Sequence, residues 1–115
     1  MARGQLQAYS KISSNTDTSL IAAPGAGQRI VVLWWSVDVE AAGAGSTLRI
    51  EDGAGGNTLL RKTCATLNER TFDWFAMDGL AIHGLQLTEN TALNAETSTS
   101  SGTATVCINV AYEIR

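Results

Sequence analysis

The chain has 115 residues, 44% of them hydrophobic, and a net charge of −3 from eight basic and eleven acidic side chains spread without blocks. This length fits one domain, burying about 65% of the surface its unfolded form exposes, so the composition excludes wholesale disorder and the fold needs no cross-links. The acidic balance speaks against nucleic acid as a partner, because non-specific affinity comes from neutralising phosphates and the densest basic group is only Arg61-Lys62.

The longest apolar run, Ile30 to Trp35, is far short of the ~20 residues a membrane span needs. The N-terminal residues lack an apolar signal core, so the protein is expected to be made and kept in a cytoplasm or released by lysis. Cys64 and Cys107 are then expected as reduced thiols.

Residues 1–16 are polar, with Leu6, Tyr9 and Ile12 as anchors. They are expected to form an N-terminal arm or a first strand over Gln5–Ile12, preceding a domain that spans residues 17–115. An arm of this kind is able to add a strand to a neighbouring subunit. A weak strand over Ser19–Ala23 follows, broken by Pro24-Gly25-Ala26-Gly27. That run lacks the Gly-Lys-Ser/Thr ending and the following helix of a phosphate cradle, and reads as a turn.

The central strand, Arg29–Glu40, divides into halves. Val31, Leu33, Trp35, Val37 and Val39 are expected to share one face. On the other, Ile30, Val32 and Trp34 give way to Ser36, Asp38 and Glu40. The first half is thus expected to be buried on both sides and the second solvated on one.

Thr47–Glu51 alternates again, with Leu48 and Ile50 in and Thr47, Arg49 and Glu51 out. Glu51, Asp52 and Asn57 flank a glycine-rich turn, but the alternating ligands and closing glutamate of a calcium loop are missing, so a hydrophilic hairpin turn is expected. Further strands are expected at Thr58–Cys64, Thr71–Met77, Leu85–Thr88 and Ala92–Glu96. After a break at Ser98–Gly102 comes the clearest strand, Ala104–Ile114. Val106, Ile108, Val110, Tyr112 and Ile114 form its apolar face, and Cys107 and Ala111 make the other face mixed. Short alternating segments between glycine-rich breaks predict an all-β, single-domain antiparallel β-sandwich or jelly roll of about eight strands.

Catalytic chemistry finds little support. The single histidine, His83, has no nucleophile motif around it, and one His with two distant Cys does not make a four-ligand zinc site without carboxylates. Asp73 and Asp78 flank Trp74, Phe75 and Met77, as in some sugar sites, but spacing alone does not place two carboxylates across a cleft. No enzyme activity, catalytic residue, cofactor or metal is expected. The aromatics stand out instead. Trp34 and Trp35 must point to opposite faces of their strand, and Phe72 with Trp74 lies opposite Phe75 with Met77. The sandwich core is expected to take one set and a crossing loop to cover the other. The alternatives are that one set lies in a protein–protein contact, where such residues are enriched, or forms a stacking platform for sugars. The candidate interface residues are Trp34, Trp35, Phe72, Trp74, Phe75, Leu6 and Tyr9.

The run from Asp17 through Ala22-Ala23-Pro24-Gly25-Ala26-Gly27-Gln28-Arg29 to Leu33 resembles the opening of a group of small virion proteins of tailed bacteriophages. In that group a strand ending in such a glycine turn leads into a hydrophobic strand. Thr47 to Gly53 and the final Val106–Ile114 strand with Tyr112 look similar to it too. The resemblance covers residues 17–115; Trp34-Trp35 is heavier than its pattern, and residues 1–16 lie outside it. It implies a structural β-sandwich of the virion, assembled in the host cytoplasm. The leading form is a capsid decoration (cement) protein that binds the major capsid protein on the outer lattice as a dimer or trimer. The alternative is a tail-fibre, baseplate or head–tail module that binds host glycan or a partner protein.

Overall fold

The computed structural model describes residues 5–13, 16–43, 45–75, 84–98 and 104–115. Among these residues nine strands appear in chain order: β1 (Leu6–Ile12), β2 (Thr18–Ile21), β3 (Ile30–Ala41), β4 (Thr47–Asp52), β5 (Asn57–Thr63), β6 (Arg70–Trp74), β7 (Leu85–Gln86), β8 (Leu93–Thr97) and β9 (Thr105–Ile114). They form two antiparallel sheets. Sheet A runs β1-β9-β3-β6 with β7 also on β3, and sheet B runs β2-β8-β4-β5.

The pairings nest around one hairpin. β4 pairs β5, β3 pairs β6, β2 pairs β8 and β1 pairs β9, with successive pairs alternating between the sheets. A long hairpin rolled up in this manner is a jelly roll, and its closing pair places the N-terminal strand on the C-terminal one. His83, Met77, Asp78 and most of the Ser98–Gly102 break fall outside the described residues.

The core is what alternation demands. Val106, Ile108 and Val110 of β9 are buried beside Ile12 of β1, and Leu48, Ile50, Leu93 and Ala95 face them from sheet B. On β3 the expected phase is half wrong. Val32 pairs Tyr112 and Trp34 pairs Ala111, so Leu33 is an extra residue, a bulge. A bulge reverses the parity of everything beyond it. Ile30 and Val32 therefore join Trp35, Val37 and Val39 in the sandwich core, while Val31 and Leu33 are buried outside that cluster. The first half is buried on both sides, as expected, but its residues divide differently between them.

Close approach at the bulge explains one glycine. A Cβ on Gly84 would stand 2.6 Å from Val31 Cγ1 and 2.9 Å from the Val32 carbonyl oxygen, and φ there is +120°. Only glycine lets the chain enter β7 against β3 at this point.

The turn at residues 24–27 is confirmed, and the amides of both its glycines are already taken. Gly25 N–H donates to Asn90 Oδ1 and Gly27 N–H to Glu89 Oε2, each at 2.9 Å. One carboxylate departs from expectation: Glu51, expected in water, is fully buried although it lies on the outer side of β4. Neighbouring charged and polar side chains roof it over, as described below.

Candidate functional site

Parity beyond the bulge decides what sheet A shows to water. Trp34, Ser36 and Asp38 point outward, and their cross-strand partners on β6 are Trp74, Phe72 and Arg70. Directly opposed residues share a face, so these six side chains form one patch. Trp34 and Phe72 stack with ring centroids 5.5 Å apart and planes inclined by 26°. Phe72 and Trp74 follow at 6.2 Å and 23°. Such offset stacking favours a fixed ring geometry. Even so, Phe72 stays 53% exposed and Trp74 59%, so the column is open to a partner.

The patch continues across the sheet. Arg70 Nε donates to Asp38 Oδ1 at 2.6 Å, a pair exposed enough that solvent screens it. Tyr9 of β1 and Asn109 of β9 pair across the strands and border two recesses, of about 490 Å³ and about 130 Å³. Asp38, Glu40, Arg70 and Cys107 line the larger. Gln7 and Trp34 line the smaller.

A polar chain joins two residues that line the larger recess, Glu40 and Cys107, to Lys11. Lys11 Nζ donates to Glu40 Oε1 at 2.9 Å, and the Cys107 thiol donates to Glu40 Oε2 at 2.7 Å. The Cys107 hydrogen bond, then Lys11, holds the Glu40 carboxyl below its ordinary range. Burial, reinforced by Glu40, pushes the Cys107 thiol up, so it stays protonated and poorly nucleophilic. The hydrogen bond with Cys107 raises Tyr9 as well.

Of the seven residues singled out in the sequence, the structure gathers Trp34, Phe72, Trp74 and Tyr9 on this outer face. Trp35 and Phe75 lie on the inner side. Trp35 is 1% exposed, meets Phe75 edge-on at 4.9 Å, and donates its indole N–H to Asp73 Oδ2 at 2.8 Å. Asp73 thus serves a core tryptophan. Leu6 opens β1 opposite Tyr112 and stands 44% exposed at the end of the strand, away from the stack.

Sequence reasoning missed a second cluster. Asp17, Glu51 and Glu96 bring carboxylate oxygens within 4.8 Å of one another on the outer side of sheet B. The residues are distant in sequence, and only the β4–β8 register unites two of them.

No model of a known protein family matches the chain, and no curated protein matches it in sequence. Among solved structures it is similar to a chain of the cyanophage Pam1 capsid asymmetric unit. The TM-score is 0.58 at 16% sequence identity, over 96% of this chain and 85% of that one. At that identity, what the two chains share is the fold.

Proposed function

We propose that this chain is a structural, non-enzymatic protein of a bacteriophage particle, and specifically a capsid decoration protein bound to the outer surface of the head. The observation that carries the reading is the likeness, along nearly the whole chain, to a component of a phage capsid asymmetric unit. The sequence patterns of Asp17–Leu33, Thr47–Gly53 and Val106–Ile114 point the same way. The open aromatic column supplies the means of attachment.

The mechanism is passive. A protein that binds the assembled shell and not its separated subunits stabilises the shell by mass action. If it also self-associates as a dimer or trimer, each arm holds a neighbouring copy of the major capsid protein, and dissociation requires several contacts to open together. Trp34, Phe72 and Trp74 have the composition and exposure of a contact centre, where a few aromatics carry most of the binding energy.

The deciding measurement is copy number in purified virions, by quantitative mass spectrometry. Hundreds of copies in fixed ratio to the shell protein are expected. A dozen or fewer would move the protein to the tail, and absence from the particle would end the reading. The same stacked rings, beside Asp38, Arg70 and Asn109, favour a second reading, a tail module that recognises host glycan. That reading requires tryptophan fluorescence to respond to host surface sugars, with Trp34 or Trp74 responsible; an unchanged spectrum rejects it.

A further inference from the structure

We infer that Asp17, Glu51 and Glu96 form a binding site for a hard divalent cation, with Ca²⁺ the best fit, on the side of the sandwich opposite the aromatic column. The inference is independent of the virion reading.

The site follows from register. On the outer side of sheet B, β4 and β8 place Arg49 opposite Glu96 and Glu51 opposite Asn94. The segment entering β2 brings Asp17 over them. Its Oδ2 accepts from Gly55 N–H at 3.3 Å and its Oδ1 from Asn94 Nδ2 at 3.0 Å. The three carboxylates offer oxygens within 4.8 Å of one another. Two oxygens bound to one Ca²⁺ at about 2.4 Å each span no more than about 4.8 Å, so all three can reach a single ion.

The charge balance within the cluster is incomplete. Among the described residues, three carboxylates face one cation, Arg49, which pairs with Glu51 and lies 3.7 Å from Glu96. Burial pushes the Glu51 carboxyl up and Asp17 pushes it the same way, against Arg49.

A second observation stands apart from the acid count. Glu51 is fully buried, yet its Oε1 has no hydrogen-bond partner among the described residues. Asn94 is 7% exposed, turns its amide into the cluster, and its Oδ1 is likewise without a partner among them. Turning that amide over presents Oδ1 in place of Nδ2. Buried acceptors without donors are uncommon, and a cation satisfies several at once. Arg49 is a poor permanent occupant. Its buried Nε also lacks a partner among the described residues, and its side chain is 29% exposed, so it can swing to water when a stronger cation enters.

Ligand chemistry selects the ion. The donors are all oxygen, with neither sulfur nor imidazole, which disfavours zinc. They come from three separate elements, an irregular arrangement that Ca²⁺ tolerates and Mg²⁺, which demands near-ideal octahedral geometry, does not. Bound there, the ion would fasten the β2 entry to β4 and β8.

The test is calorimetric titration of the full chain, stripped with chelator, with CaCl2 and separately with MgCl2. One saturable calcium site per chain is expected, at least about tenfold tighter than for magnesium. Calcium should also raise the melting temperature. Glu51→Gln and Asp17→Asn should abolish the calcium heat, and Glu96→Gln, at the more exposed rim, should weaken it without unfolding the chain. Arg49→Gln should tighten binding by about tenfold, since it removes the competing cation. No saturable heat up to about 10 mM CaCl2 would overturn the inference, leaving protons or water to satisfy the cluster. Equal binding by Glu96→Gln and Glu51→Gln variants with native circular dichroism would overturn it too, by assigning the ion to scattered surface acids.

Discussion

Trp34 and Trp35 are neighbours on β3 held by unlike forces. Trp35 is almost wholly buried and gives its indole N–H to Asp73. Trp35→Phe keeps most of the apolar volume but strands the Asp73 acceptor, and should cost about 1–3 kcal/mol by urea denaturation. Trp74→Ala removes an exposed ring and should cost no more than about 1 kcal/mol in the same assay. Equal losses would mean that the outer stack is itself structural.

Two glutamates should respond oppositely to pH. Glu40 is held low by Cys107 and Lys11, so its contribution is present above the ordinary carboxylate pKa and fades as pH falls through its lowered value. Glu51 is pushed up by burial, so the folded chain binds that proton more tightly than the unfolded one. Stability is then fullest below the ordinary carboxylate value and falls as pH rises through the raised one. In calcium-free buffer, Glu40→Gln should flatten the acid limb of a urea-midpoint profile. Glu51→Gln should flatten the decline above it. A Glu51→Gln profile that keeps that decline would show that Glu51 is already neutralised by other means.

At the scale of elements, the bulge at Leu33 is the feature on which the site depends. It lets Ile30 and Val32 on one side, and Trp35, Val37 and Val39 on the other, reach the same core. Deleting Leu33 brings Ile30, Val32, Trp35, Val37 and Val39 into strict alternation on one face, with their β9 partners unchanged. We expect that variant to keep the native circular dichroism signal and, like Leu33→Ala, to cost about 2–5 kcal/mol for the lost buried side chain, whereas inserting one residue between Ser36 and Val37 turns Val37 and Val39 outward and should abolish the signal. A folded insertion variant would show that the register slips freely.

The same bulge marks where the sequence stopped being readable. β9 alternates without interruption, and its buried face was plain from Val106, Ile108 and Val110. The opposition of Trp34 to Trp35 was equally plain, because adjacent strand residues always diverge. Which of the two enters the core was not, since an extra residue in β3 shows only against its partner strand. The cluster of Asp17, Glu51 and Glu96 was hidden for a related reason. Glu51 and Glu96 look like ordinary solvated positions of two alternating strands, and only tertiary register and the path into β2 bring the three carboxylates together.

The whole molecule is a sandwich with two unlike outer faces. Sheet A shows stacked aromatics and two recesses, while sheet B shows Arg49 among carboxylates. Decoration of a shell through the aromatic face therefore makes an oriented prediction. Free in solution, Trp74 is open to a collisional quencher such as acrylamide, Trp34 is half-buried, and Trp35 is shielded, so Trp35 supplies an internal reference. When recombinant protein is bound to shells, quenching of Trp34 and Trp74 should drop towards that of Trp35. A Trp34→Phe, Trp74→Phe variant should lose the change. Phe72→Ala with Trp74→Ala should weaken shell binding by at least about thirtyfold, the effect of removing a contact centre worth about 2 kcal/mol or more. Tight shell binding with quenching unchanged would reverse the orientation, placing sheet B or an end of the sandwich against the shell and leaving the aromatic column facing outward, where it would be free to meet something other than the capsid.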